Sequence, residues 1–459
     1  MRVLLVNPSF PGHFHVCPPL GLGYVGTSLQ GTGHTVKLVD MGLDPGEDLL
    51  ENLDTFRPDC IGITGMSTQY PGMKGLAGIA GSKGVPVVVG GIHVSALPEF
   101  VLEECKDFDF AVKGEGEIAF PKLLQSLATG ESYKDIPGLY YRESEGIVGK
   151  LPEPIQDLDG LASPWGVLDP WKYSSSRVHG LSARSGPAVS VISSRGCPYQ
   201  CVFCSASQAH GRKIRLRSAS NFLDELEYLV SVGVREVQVL DDNFTFYREH
   251  AYTISQGILD RGLRIFWTLP NGIRADRVDK ELLEKMWKAG CYYMGFGIES
   301  GSERLLKIMK KSLSLKVVEA TIREASKIGF TTQGFFMIGH PEETREDLDR
   351  TLKVAKSLPL DRISVSPVMP LPGSELYDYY VSQGLLNPKE VDWTSFNRYL
   401  FSPSVGGNLT KFVRRIHREF YLNPSRVWRN LSKVRSFSQI KGLLLGLGLV
   451  LRATVRGKV

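Results

Sequence analysis

The sequence predicts an α/β chain with two successive βα blocks, a doubly wound parallel sheet and then a (β/α)6 partial barrel, ending in a basic helical tail. Three observations predict it. Short apolar runs alternate with helix-length stretches over residues 1–130 and again from 188. A stretch rich in proline, 131–187, interrupts that alternation. From residue 401 onward, twelve lysines and arginines face a single acid, Glu419. The whole chain carries +5, so its basic excess lies in the tail.

In the first block the strand candidates are 3–6, 36–39, 60–64, 86–89 and 108–112, with helices expected at 19–30, 47–56, 73–82, 98–105 and 118–127. Strands that alternate with helices form a parallel sheet, and ligands of such a sheet collect at its carboxyl ends. Those ends carry Asn7, Asp40, Gly65 to Thr68, Gly90-Gly91-Ile92-His93 and Lys113-Gly114-Glu115-Gly116-Glu117. Residues 131–187 read as a linker holding Ser174 to Ser176 and one hairpin near 139–148. The second block, 188–400, offers strands at 189–193, 236–240, 264–269, 292–298, 331–338 and 362–366. Its helices are expected at 221–232, 249–261, 279–289, 302–309, 315–329 and 343–358. Six βα units suit a barrel whose site lies at the carboxyl ends of the strands.

At 459 residues, 42% hydrophobic and 22% charged, the chain is long enough for several cores and is not disordered in composition. Only five residues separate Arg2 from Pro8, too few for a secretory segment, so a cytoplasmic protein is expected. Seven cysteines do not form a disulfide framework. Cys197, Cys201 and Cys204 fall within eight residues, while Cys17, Cys60, Cys105 and Cys291 are scattered. A CxxxCxxC loop directly after the first barrel strand can wrap three thiolates around one cluster. It leaves one iron of a cubane open to a chelating substrate. A zinc site completed by His210, or three plain thiols, are the competing readings.

The loop Arg195-Gly196-Cys197-Pro198-Tyr199-Gln200-Cys201-Val202-Phe203-Cys204 resembles the signature of the radical SAM superfamily, with Phe203 at the place of its aromatic residue. Over about residues 1–400 the chain is similar to the cobalamin-binding radical SAM enzymes. The stretches carrying this are Pro18 to Tyr24, Gly33 to Val36, Val89 to His93, Val112 to Glu117, Leu240 to Thr245, Gly297 to Ser302 and Gly334 to Glu342. The resemblance implies a 4Fe–4S cluster on the three cysteines, S-adenosylmethionine as cofactor, and cobalamin in the first block. It places Asp241, Asp242 and Glu299 near the cofactor's amino group or ribose, and Gly339 beside its adenine. Ser67, Thr68, Gly90, Gly91 and His93 would then border cobalamin. No DxHxxG motif follows Asp40, which implies cobalt without a lower histidine; a sheet without cofactor is the alternative. No GxGxxG follows the first strand, which argues against a dinucleotide.

In plainer terms, one of Asp241 and Asp242 could cap the next helix, as Ser300 or Ser302 could cap the one at Glu303. The function implied is cobalamin-dependent methylation of an unactivated carbon. Its rivals are radical ring formation without methyl transfer and a cobalamin- or zinc-binding sensor. A small-molecule or lipid substrate and an electron donor such as flavodoxin or ferredoxin are the expected partners; no nucleic acid is expected. In the tail, 401–459, Val427, Leu431 and Val434 share helical spacing with Arg426, Arg429 and Lys433 displaced from them. An apolar run of ten, 442–451, follows, far short of the roughly 20 residues a membrane span needs. Peripheral contact with the inner membrane face, or a helix packed on the barrel with a solvated basic face, are both open.

Overall fold

A computed structural model of the chain describes residues 1–10, 17–173, 183–398, 409–434 and 440. The first unit contains β1 (Arg2–Asn7), β2 (Thr35–Asp40), β3 (Cys60–Thr64), β4 (Val87–Gly90), β5 (Phe110–Val112), β6 (Leu139–Glu143) and β7 (Gly146–Gly149). They form one sheet in the order β2-β1-β3-β4-β5-β6-β7, parallel through β5. Strand alternation decides the two faces. Val3 and Leu5 pack with helices Leu20–Gly31 and Gly116–Thr129, while Leu4 and Val6 pack with Leu49–Phe56, Tyr70–Ser82 and Pro98–Glu104. Because β1 lies between β2 and β3, the order of the strands reverses there, and a crevice opens at the carboxyl ends.

The hairpin expected in the linker exists, and it adds antiparallel to β5 as the sheet's outer pair. The described residues beyond it are not loose. Trp165, Leu168 and Tyr173 are buried with Leu20 and Tyr24 against the barrel core. Large apolar side chains between the prolines give this segment something to bury. Ser174 to Ser176 lie outside the described residues.

The second unit contains β8 (Ala188–Val191), the two-residue strands β9 (Ser194–Arg195) and β10 (Arg215–Leu216), then β11 (Glu236–Val239), β12 (Phe266–Ile273), β13 (Cys291–Glu299), β14 (Thr331–Ile338) and β15 (Arg362–Pro367). The six long strands run parallel in the order β8-β11-β12-β13-β14-β15, an open barrel with helices outside. The sequence-expected strands all appear, shifted by up to four residues at their ends.

The tail departs from expectation. Helix Leu409–Tyr421 buries Leu409, Ile416 and Phe420. Helix Pro424–Ser432 is inverted: its cations face the barrel and Val427, Trp428 and Leu431 face outward, Trp428 at 75% exposure. Arg426 lies 3.8 Å over the Phe420 ring and donates to the carbonyls of Leu360 (2.8 Å) and Lys356 (2.5 Å). Arg429 and Lys433 each reach the buried Asp361 at 2.8 Å. The cause is the end of helix Arg345–Ser357, whose last carbonyls lack partners within the helix and attract cations. The run 442–451 lies outside the described residues; among those described, no helix is long and apolar enough to cross a membrane.

Candidate functional site

Strands β9 and β10 pair antiparallel and pinch off the loop 196–214. The crossing is tight: a Cβ on Gly196 (φ 95°) would stand 2.5 Å from the Lys213 carbonyl, so only glycine fits. The middle of the loop is pinned through Val202, whose N–H donates to Met309 O (3.1 Å) and whose carbonyl accepts from Leu376 N (2.8 Å). Phe203 packs half-buried against the adjoining core. Cys197 and Cys201 are half-buried and Cys204 is exposed. Burial raises the Cys197 and Cys201 thiols. All three stand on the one loop that β9 and β10 close. Among the described residues no three His, Cys, Asp or Glu groups stand close enough for a single ion, as zinc would require. His210 instead has its Nδ1 3.2 Å from Glu115. A cubane spreads its thiolates more widely than one ion does, and three thiols are the donor set that this pinned loop would offer it. The other four cysteines are remote from such a role: Cys60, Cys105 and Cys291 are buried, and Cys17 Sγ lies 3.4 Å from Ser190 Oγ.

The two aspartates divide their work. Asp241 is buried and accepts from Ser193 N (2.7 Å), Ser193 Oγ (2.6 Å) and Ser194 Oγ (2.5 Å), so it fixes the strand that enters the cysteine loop. Asp242 faces the loop itself. Burial raises its carboxyl, opposed by His210 and by the Gly196 N–H, and its charge is felt at Cys197 and Cys204. Neither caps a helix, because the next one begins only at Arg248. The cap expected at Ser302 is present, to Leu305 N at 3.4 Å.

Glu299 ends β13 and pairs with Lys311 Nζ at 2.8 Å, both buried. Burial pulls the Lys311 ammonium down, but Glu299 and the Cys201 thiol more than offset it and hold it above its usual value. Arg274 donates to Lys311 O (2.6 Å) and Ser312 O (3.0 Å), with its guanidinium 3.9 Å over the Tyr199 ring. Glu299, Lys310 and Ser312 are three of the four non-glycine residues with left-handed φ among those described. Strain of this kind gathers where side chains are held for a task. At the end of β14, Gly339 (φ 90°) donates its N–H to Glu343, whose carboxyl burial raises to about 7. Sequence reasoning missed Lys311, Arg274 and Tyr199. Tyr199 lies within the signature, and Lys311 follows Lys310 as an ordinary surface pair would.

At the first sheet, His93 is wholly buried. Its ring lies 4.5 Å from Tyr70 and 4.8 Å from Trp393, Nδ1 is 3.0 Å from Ser67 Oγ, and Nε2 has no partner. Desolvation lowers it to about 3, so it is neutral. The room at Gly91 is taken by backbone: a Cβ there would stand 2.6 Å from Gly65 O. Gly90 is half-buried with only the Val112 carbonyl near, and Met66 is 53% exposed. Thr68 is buried. The half-buried Ser67, Gly90 and Gly91 and the exposed Met66 are the side that a large cofactor could reach, whereas His93, expected beside it, is enclosed behind Ser67 by Tyr70 and Trp393.

These features match known proteins. The radical SAM superfamily model matches residues 191–355 and the B12 binding domain model residues 14–124. The chain is thus a radical SAM enzyme preceded by a cobalamin-binding unit. An uncharacterized methyltransferase of Pyrococcus horikoshii is 33% identical over 97% of this chain and 98% of its own. The cytidylyl-2-hydroxyethylphosphonate methyltransferase of Streptomyces wedmorensis is 29% identical over 93% and 91%. The fold is shared with the radical S-adenosylmethionine methyltransferase TsrM from Kitasatospora setae, solved with cobalamin and a [4Fe-4S] cluster (TM-score 0.74, 20% identity, 92% and 89% covered). The chain belongs to the cobalamin-dependent radical SAM methyltransferases, whose cofactors are a 4Fe–4S cluster, S-adenosylmethionine and cobalamin.

Proposed function

We propose that this enzyme methylates an unactivated carbon of a small-molecule or lipid substrate. Cys197, Cys201 and Cys204 hold the cluster, and the observation that carries the reading is the lack of any fourth cysteine beside them. With its cofactors bound, the site has a 5′-deoxyadenosyl radical and a transferable methyl group at its disposal. The protein's part is placement. Lys311 and Glu299 offer a cation and a carboxylate side by side, complementary to the carboxylate and ammonium of the methionine moiety. Asp242, after β11, adds a second carboxylate near the cysteine loop, and the backbone at Gly339 allows a flat ring to approach. Ser67, Gly90 and Gly91 would border the cobalamin, with the buried His93 behind them holding Ser67 through Nδ1, and a flavodoxin or ferredoxin supplies the electron.

The test is anaerobic turnover of the reconstituted enzyme in extract of cells lacking the gene, with methyl-labelled S-adenosylmethionine. Label in a new product, with 5′-deoxyadenosine released, supports methylation; 5′-deoxyadenosine with an unlabelled ring-closed product supports the cyclising rival. Zinc in place of iron and sulfide supports the sensor.

A second element of the reading is cytoplasmic location with peripheral contact at the inner membrane face. The outward Val427, Trp428 and Leu431, with Leu422 also exposed, favour it, beside a basic tail. Cosedimentation with anionic vesicles, lost in Trp428→Glu, is the expected result; equal recovery with neutral and anionic vesicles counts against it.

A further inference from the structure

The ribbon that closes the cysteine loop has a defect when taken alone. Arg195 and Arg215 are direct cross-strand partners in β9 and β10, and both are buried. Like charges opposite one another destabilise an antiparallel pair, the more so away from water. The missing counter-charge comes from the other unit. Glu115, in the loop after β5, accepts from Arg195 Nη1 (3.0 Å) on Oε1 and from Arg215 Nη1 (2.7 Å) on Oε2. Its remaining capacity is filled by His210 Nδ1 (3.2 Å) and Ile155 N (2.8 Å). Glu117 takes the second nitrogen of Arg195 at 2.6 Å, so two arginines meet two carboxylates. Burial alone would raise the Glu115 carboxyl; His210, Arg215 and Arg195 hold it well below the usual range instead.

We propose that Glu115 is a positioning residue that holds the cysteine loop in register with the carboxyl-end loops of the first sheet. The connection continues on that side. Gly114 N–H donates to Ser95 Oγ (2.9 Å), and Ser95 belongs to the short helix Ile92–Ala96 that carries His93. A path of direct bonds and adjacent residues thus runs from the His93 helix through Gly114 and Glu115 to both ends of the loop bearing the three thiols. The ribbon's charges are balanced only when the first unit is docked, so Glu115, with Glu117 beside it, ties the cysteine loop to a register that the apolar packing of Leu20 and Tyr24 on the barrel core also supports. The functional meaning of that register rests on the methyltransferase reading; the structural test does not.

Hydrogen exchange on the full-length chain tests it without any cofactor. In Glu115→Gln, amides of residues 194–215 are expected to exchange about tenfold faster or more, with peptides over 91–96 and 113–117 following. Adding Arg215→Gln to that variant removes the repulsion and restores protection of the ribbon, a rescue that a general loss of stability would not give. Should Glu115→Gln fail to accumulate, Glu115→Asp, with the charge kept but the reach shortened, shows the same local acceleration in smaller measure. Unchanged exchange at 194–215, acceleration spread evenly through the chain, or no rescue by the second substitution overturns the proposal.

Discussion

The carboxyl ends of the two sheets are built on opposite plans. The barrel end is polar and strained: it carries the loop of three thiols, a buried Lys311–Glu299 pair and left-handed backbone at 299, 310 and 312. The first sheet's end is closed by packing, with the His93 ring between Tyr70 and Trp393 and Gly91 against Gly65. The difference teaches that a small charged ligand requires fixed charges and covalent anchors, whereas a large flat one requires shape and apolar area.

The strongest way to sharpen that contrast is Cys201→Ser. It should abolish iron incorporation and S-adenosylmethionine cleavage while cobalamin binding persists; loss of both cofactors together would show that the ends are not independent. Next is Lys311→Met, which leaves Glu299 buried without its cation. A loss of about 3–5 kcal/mol in urea unfolding is expected. Restoring stability with Glu299→Gln as well, without restoring S-adenosylmethionine binding, separates packing from recognition.

Two buried titratable groups should give opposite pH slopes. Glu236 lies at the barrel floor, accepting from Tyr292 OH (2.8 Å) and Arg184 N (2.7 Å), and burial raises it to about 7. A carboxyl raised in the folded state gives full stability below about pH 4.5, lost as pH rises towards 7, by up to about 3 kcal/mol. His93 is lowered to about 3, so its share of stability is complete above about pH 6.5 and lost as pH falls towards 3. Glu236→Gln should flatten the first slope and His93→Gln the second; matching slopes in the variants and the parent would refute the assignment. The smallest effect is expected for Trp428→Glu: stability within about 0.5 kcal/mol of the parent, since the ring is exposed.

The same contrast explains what could be read from the sequence. Cysteine spacing is local, so Cys197, Cys201 and Cys204 were legible, and strand alternation exposed both sheets. Which of Asp241 and Asp242 faces the loop was not, because Ser193 and Ser194, which occupy Asp241, are nearly fifty positions away. Lys311 was hidden because only the turn held by Arg274 directs it inward while Lys310 pairs outside with Glu375. The inverted helix Pro424–Ser432 was unreadable for the same reason, since its cations answer carbonyls some seventy residues upstream. Glu115 showed itself only as part of a motif, with nothing local to name its arginine partners.

The most direct measurement is electron paramagnetic resonance of the reduced, anaerobically purified enzyme with and without S-adenosylmethionine. A 4Fe–4S signal that shifts when the cofactor is added, with iron and sulfide present in equal amounts, is what three thiolates and one vacant iron predict. A signal indifferent to S-adenosylmethionine, or zinc without sulfide, would contradict the account.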